Sequence, residues 1–310
     1  MPASSTRIAL WLLLAGSPLA ASLGCRAFRC QEVSDEAIAA TRQLSLQGMD
    51  AQQRGRWDQA ESLFAQAVIT CPRDERARCG YAESLWHRGA REQAVTHMEE
   101  AVRLSGHDPE RLVQLGHMYR EQGDLSRAGN LAARAIHANP QLASAWALRG
   151  EVERASGQRT EALASFHRAL SLQPHFPPVQ LAVAEIYAAE NRPQQALATL
   201  QALEASFPPG QGPVDLMVRQ SRALCSLGRY PDALRKLTTA AERVNPSADL
   251  LCELAQTQLL AGETSAAQLT LSAALARDPR HPGCLALEQR LGAPQGALAT
   301  ALAPQQTVLH

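Results

Sequence analysis

Residues 157–174 read GQRTEALASFHRALSLQP, and the order of residue types within them decides the fold. Gly157 can take the left-handed conformation that ends a helix. Ala162, Phe166 and Ala169 then fall on one face of a following helix, four and three residues apart. Pro174 stops that helix, because it lacks an amide hydrogen and collides with the preceding turn. The stretch reads as a turn, an amphipathic helix and a stop, with small residues where a second helix must come close.

The same order recurs on both sides. Toward the N-terminus stand Gly123, Ala128, Ala132, Ala135 and Pro140, then Gly89, Ala94, Met98 and Ala101 with Gly106 in the proline slot, then Gly55, Ala60, Phe64, Ala67 and Pro72. Toward the C-terminus stand Asn191, Ala196, Leu200, Leu203 and Pro208. After three extra residues near Pro209–Pro213 come Gly228, Ala233, Leu237 and Ala240, and finally Gly262, Ala267, Leu271, Ala274 and Pro279. The first alanine is Ala in all seven copies. Asparagine at Asn191 is the usual second choice for a left-handed position. Upstream of each turn lies an apolar or aromatic residue with a small one, as in Leu44 with Gly48, Leu112 with Gly116 and Trp146 with Gly150. One such block per period predicts helix pairs stacked on a continuous core.

Composition agrees. Hydrophobic residues are 45 % of the 310-residue chain but aromatics only 4 %, so the apolar content is mostly Ala and Leu, which suits closely packed helices. Thirty basic and thirty acidic residues balance, so no overall field favours nucleic acid. The phosphate-binding loop, the nucleophile-elbow motif and the zinc-protease motif are missing from the sequence. GQGPVD (residues 210–215) lacks a third glycine and a preceding strand, and reads as an inter-repeat loop. The nine histidines form no pair at zinc-ligand spacing. No enzyme activity, metal site, cofactor or small-molecule substrate is expected.

The first residues form a separate unit. Arg7 precedes an apolar run from Ile8 to Ala15, which Gly16, Ser17 and Pro18 interrupt, and the small, apolar Leu19–Gly24 follows. This is the layout of a secretory signal over residues 1–24. Residues 25–34 then read as a tether, and Ser34 followed by Asp35 and Glu36 is a helix start. Units are expected near 41–74, 75–108, 109–142, 143–176, 177–213, 214–247 and 248–281, within an array over 35–281. Residues 282–292 read as a capping helix and 293–310 as a disordered tail. An even number of cysteines beyond Cys25 invites disulfides in an exported protein, with Cys71–Cys79 and Cys252–Cys284 the candidate bridges.

These units resemble the tetratricopeptide repeat over roughly Thr41 to His281. The resemblance implies an all-α, right-handed superhelical solenoid of about seven helix pairs, whose first helices line a concave groove for a protein or peptide partner. Carried onto this chain, the family's groove positions include Met49 and Gln52, then Arg76, Glu83, Trp86 and His87. In the next two units they include His117, Arg120, Glu121, Glu151 and Arg154. Trp86 is either an anchor for a partner or a contact to the next unit. Arg120 and Arg154 could hold a carboxylate, or be neutralised by Glu121 and Glu151. The later groove is expected to be more apolar, through Leu181, Ala188, Ala189, Val218, Leu259 and Leu260. Ser45 and Met49 stand where the family's chaperone-tail clamp needs lysine and asparagine, so that specialisation is not expected.

The segment before Cys25 is similar to bacterial lipoprotein signals, with Gly24 fitting well and Ser22 and Leu23 less so. The resemblance implies lipidation of Cys25 and a membrane-anchored adaptor facing the periplasm or exterior. Plain secretion, an uncleaved anchor and a soluble cytoplasmic scaffold are the other readings.

Overall fold

A computed structural model describes residues 34–208 and 210–292. Their regular structure is helical, in fifteen helices: α1 (Asp35–Gln53), α2 (Trp57–Thr70), α3 (Glu75–Arg88), α4 (Arg91–Leu104), α5 (Pro109–Glu121), α6 (Leu125–Ala138), α7 (Ala143–Ala155) and α8 (Arg159–Leu172), followed by α9 (Pro177–Ala189), α10 (Pro193–Glu204), α11 (Val214–Ser226), α12 (Tyr230–Arg243), α13 (Ala248–Leu260), α14 (Thr264–Arg277) and α15 (Pro282–Gly292). The proposed signal, Cys25, residues 26–33 of its tether and the C-terminal tail lie outside the described residues. No described helix is long and apolar enough to cross a membrane.

Local chemistry sets the helix ends. The turn positions take positive φ: Gly55 71°, Gly89 90°, Gly123 83°, Gly157 80°, Gly228 70° and Gly262 85°, with Asn191 at 56°. Only there can the chain reverse within a few residues without a Cβ clash. Side chains cap several starts: the Ala37 amide donates to Ser34 Oγ at 3.2 Å and the Ala77 amide to Asp74 Oδ1 at 2.7 Å. Arg78, in a slot that is usually apolar, is held by donating from Nε to the Pro72 carbonyl at 2.6 Å.

Each pair closes on its alanines. Ala60, Ala94, Ala128, Ala162, Ala196, Ala233 and Ala267 are all at most 1 % exposed. They form the seam where two antiparallel helices touch. Larger side chains fill the space beside the seam, and their size is matched across it. Phe64 packs under Gly48 and Gly80, where an added Cβ would stand 2.8 and 2.3 Å from Phe64 Cζ. Phe166 packs under Gly150, with Cδ1 2.6 Å from such a Cβ. Burying one phenylalanine in this way contributes roughly 1.5–3 kcal/mol.

Besides neighbours in chain order, α1 packs on α3, α5 on α7 and α13 on α15. First helices thus meet across units, which puts them on the inner side of the stack. The last, α15, lies over α13 and α14 with Leu287 and Cys284 buried, and covers the apolar end of the array.

Candidate partner-binding groove

Polar side chains of successive first helices meet along this inner side. At its start, Gln52 Nε2 donates to the Gly80 carbonyl and to Ser84 Oγ, both at 3.4 Å, and lies 3.5 Å from Glu83 Oε2. Glu83 Oε1 accepts from Gln114 Nε2 at 3.2 Å, and Arg111 Nη1 donates to Gln114 Oε1 at 2.8 Å. Cys79 sits beneath them as a neutral thiol, pushed up to about 12 by burial and by the nearby Glu83 charge.

One unit further, His117 Nδ1 and Arg120 Nε approach the same atom, Glu151 Oε2, at 3.3 and 3.0 Å. Glu151 Oε2 and Arg120 Nε are both buried, yet neither makes an aligned hydrogen bond. The Arg120 contact is ionic, and the carboxylate oxygen keeps unused acceptor capacity. Burial acts to raise the Glu151 carboxyl, but His117, Arg120 and Arg154 outweigh it and hold the group below the usual glutamate range.

The series continues through Arg154 to Glu185 at 3.3 Å, Glu185 to Arg219 at 2.6 Å, and Arg219 to Asp215 at 2.6 Å. It ends on the Arg222–Glu253 ion pair. The result is a polar ladder from Gln52 on α1 to Glu253 on α13, with charges of both signs along it.

Several expected groove residues join this ladder: Gln52 meets Glu83, and His117 and Arg120 meet Glu151. Arg120 also lies 3.6 Å from Glu121, so the acids neutralise the arginines. Trp86 makes the contact to the next unit. Its Nε1 donates to Glu121 Oε2 at 3.2 Å, its ring packs on the front core, and the Arg91 guanidinium stands 5.3 Å from the ring centre. His87 stacks on Trp57 at 4.1 Å instead of joining the ladder. Met49 and Arg76 are exposed and enter none of the contacts above.

Sequence reading missed Gln114, Glu185, Arg219, Arg222 and Glu253. The signal was present: a titratable residue recurs at one interval through Glu83, His117, Glu151, Glu185, Arg219 and Glu253. The rear groove is also less apolar than expected. Leu259 is buried, and Leu181, Val218 and Leu260 are half-buried. Of these, Val218 stands among charged groups on a cleft of about 550 Å³, whose walls also include Val214, Arg222, Asp249, Glu253 and His281. The five described cysteines are free thiols, so Cys71 and Cys79 are not bridged. Cys79 instead donates to Gln114 Oε1 at 3.4 Å.

Comparison with known proteins places this architecture. Two tetratricopeptide repeat models match, one over residues 45–109 and 113–174, the other over 153–211 and 224–291. No curated protein matches the chain by sequence. Among solved structures, PilF of Pseudomonas aeruginosa superposes with a TM-score of 0.60 at 16 % identity, over 72 % of this chain and 99 % of its own. PilW, described as a type IV pilus biogenesis factor, gives 0.61 at 18 %, over 71 % and 98 %. YrrB, described as having an unusual peptide-binding site, gives 0.54 at 19 %, over 62 % and 97 %. At these identities the structures show a shared fold, and the family models cover most of the array with one repeat type. The chain belongs to the tetratricopeptide repeat family.

Proposed function

We propose that the chain is a non-enzymatic scaffold that holds a peptide or protein segment along its inner charge ladder, and does so while lipid-anchored at Cys25 in the cell envelope. The observation that carries the binding reading is Glu151 Oε2, a buried acceptor approached by the His117 imidazole and the Arg120 guanidinium but aligned with neither. A partner's amide or ammonium group would complete it, while Arg120 and Arg154 offer donors to the partner's acidic groups. One of the similar folds is a pilus biogenesis factor by description, and another has a peptide-binding site. Those likenesses support an interaction role, and tetratricopeptide proteins are in general non-catalytic. The envelope location rests on the sequence around Cys25.

Displayed peptides enriched on the wild-type chain test the groove by fluorescence anisotropy. Arg120→Ala should weaken the enriched peptides at least tenfold, whereas Ile69→Ala, on the exposed side of α2, should leave binding unchanged. Equal binding to Arg120→Ala would move the site off the ladder. Palmitate labelling and fractionation test the anchor: label and membrane association should vanish in Cys25→Ala. An unlabelled wild type in the cytoplasm would leave a soluble scaffold.

A further inference from the structure

Beyond the groove, the rear cap gathers a soft donor set. Cys252 lies in the first turns of α13, His281 directly before α15, and Cys284 in its first turn. Stacking α15 on α13 brings one ligand atom from each within 4.8 Å of the other two. Both thiols are buried, Cys284 at 0 % and Cys252 at 8 % exposure. Gly283 leaves the space between them open, since a Cβ there would stand 3.3 Å from Cys252 Sγ and 3.5 Å from His281 Nδ1.

A second observation concerns the imidazole. The Cys284 amide donates to His281 Nδ1 at 3.1 Å, so Nδ1 carries the lone pair. The other nitrogen, Nε2, then carries the hydrogen and donates to Asp249 Oδ1 at 2.8 Å. A carboxylate behind the imidazole fixes the tautomer that a metal needs and raises its basicity, as around metal-bound histidines in general. Cys252 and His281 also line the 550 Å³ cleft, so a fourth position would face solvent or a ligand.

We infer that Cys252, Cys284 and His281 form a binding site for a thiolate-seeking, tetrahedral divalent ion of the zinc class. Two thiolates and one imidazole suit zinc and leave one coordination position open. Binding breaks two S–H bonds and sends both protons to solvent. The two thiolate charges cancel those of the ion, so the buried centre is neutral. His281 Nδ1 exchanges the Cys284 amide for the metal, which ties α15 to α13.

The test uses the full chain, reduced and stripped of metal, titrated with zinc against a chromophoric chelator and with cobalt(II) as a spectroscopic substitute. The expected result is one equivalent of zinc and a cobalt thiolate charge-transfer band. The band should be lost in Cys252→Ser and Cys284→Ser and kept in Cys71→Ser. Asp249→Asn changes an exposed side chain without threatening the fold, and should weaken zinc about 10–100-fold. Wild-type affinity in Asp249→Asn together with Cys252→Ser would overturn the site. So would failure of the folded, reduced wild type to bind zinc, or a Cys252–Cys284 disulfide that persists when zinc is supplied.

Discussion

The front and rear of the array solve the same packing problem with different pairs of residues. In units one and four the first helix supplies a glycine and the second a phenylalanine, Gly48 with Phe64 and Gly150 with Phe166. In units five and seven the equivalent positions hold Ala184 with Leu200 and Ala255 with Leu271, each pair sharing one core cluster. A ring needs the room that a missing Cβ gives, and a leucine does not. In these four units the combined volume of the pair stays nearly constant, because interiors tolerate neither voids nor overlap.

Phe166→Ala should therefore have the largest effect, costing about 3–5 kcal/mol in chemical denaturation, since no neighbouring side chain can collapse into a ring-sized space at 0 % exposure. Gly150→Ala comes next at about 1–3 kcal/mol, because the new Cβ would meet Phe166 near the root of its ring, at Cδ1 and Cγ. Combining Gly150→Ala with Phe166→Leu builds the rear pair in the front and should recover most of that loss. A double variant as unstable as the sum of its parts would break the comparison.

Turns supply a smaller contrast. The front uses glycine at every inner turn, whereas unit five uses Asn191 at φ 56°. Asn191→Ala should cost about 1 kcal/mol, because alanine meets the full left-handed penalty that asparagine partly escapes. No measurable loss by thermal melting would show that the backbone relaxes there.

The smallest effect concerns charge. Glu151 is held below its ordinary range, so its contribution is present above the unfolded glutamate value and is lost as pH falls through its folded value. Wild-type stability should fall across that acid window, and Glu151→Gln should flatten the slope. An unchanged slope would place the acid sensitivity in other carboxylates that are held low, such as Glu204 at the rear, where burial acts to raise the group but contacts from Lys236 and Gln220 outweigh that.

The repeat fold was legible in the sequence because every step that makes it is local. Positive-φ turns announce themselves as Gly157 or Asn191, seams as Ala162 and its equivalents, and stops as Pro174. The groove was legible only in part. Fixed positions found His117, Arg120 and Glu151, but passed over Gln114, and over Glu185 and Arg219, although these last two continue the interval of Glu151. Trp86 could not be assigned from spacing, since its ring could turn either to solvent or, as it does, to Glu121.

By itself, then, the sequence determined the helix pairs, their number and their order, through rules that act within a few residues. The tertiary structure alone decided which side chains from different units meet, at Glu151 Oε2 and at the cluster of Cys252, His281 and Cys284. Those contacts join residues a whole repeat apart, so they depend on how one unit is rotated against the next. That rotation comes from the summed packing of many side chains, which no short stretch of sequence contains.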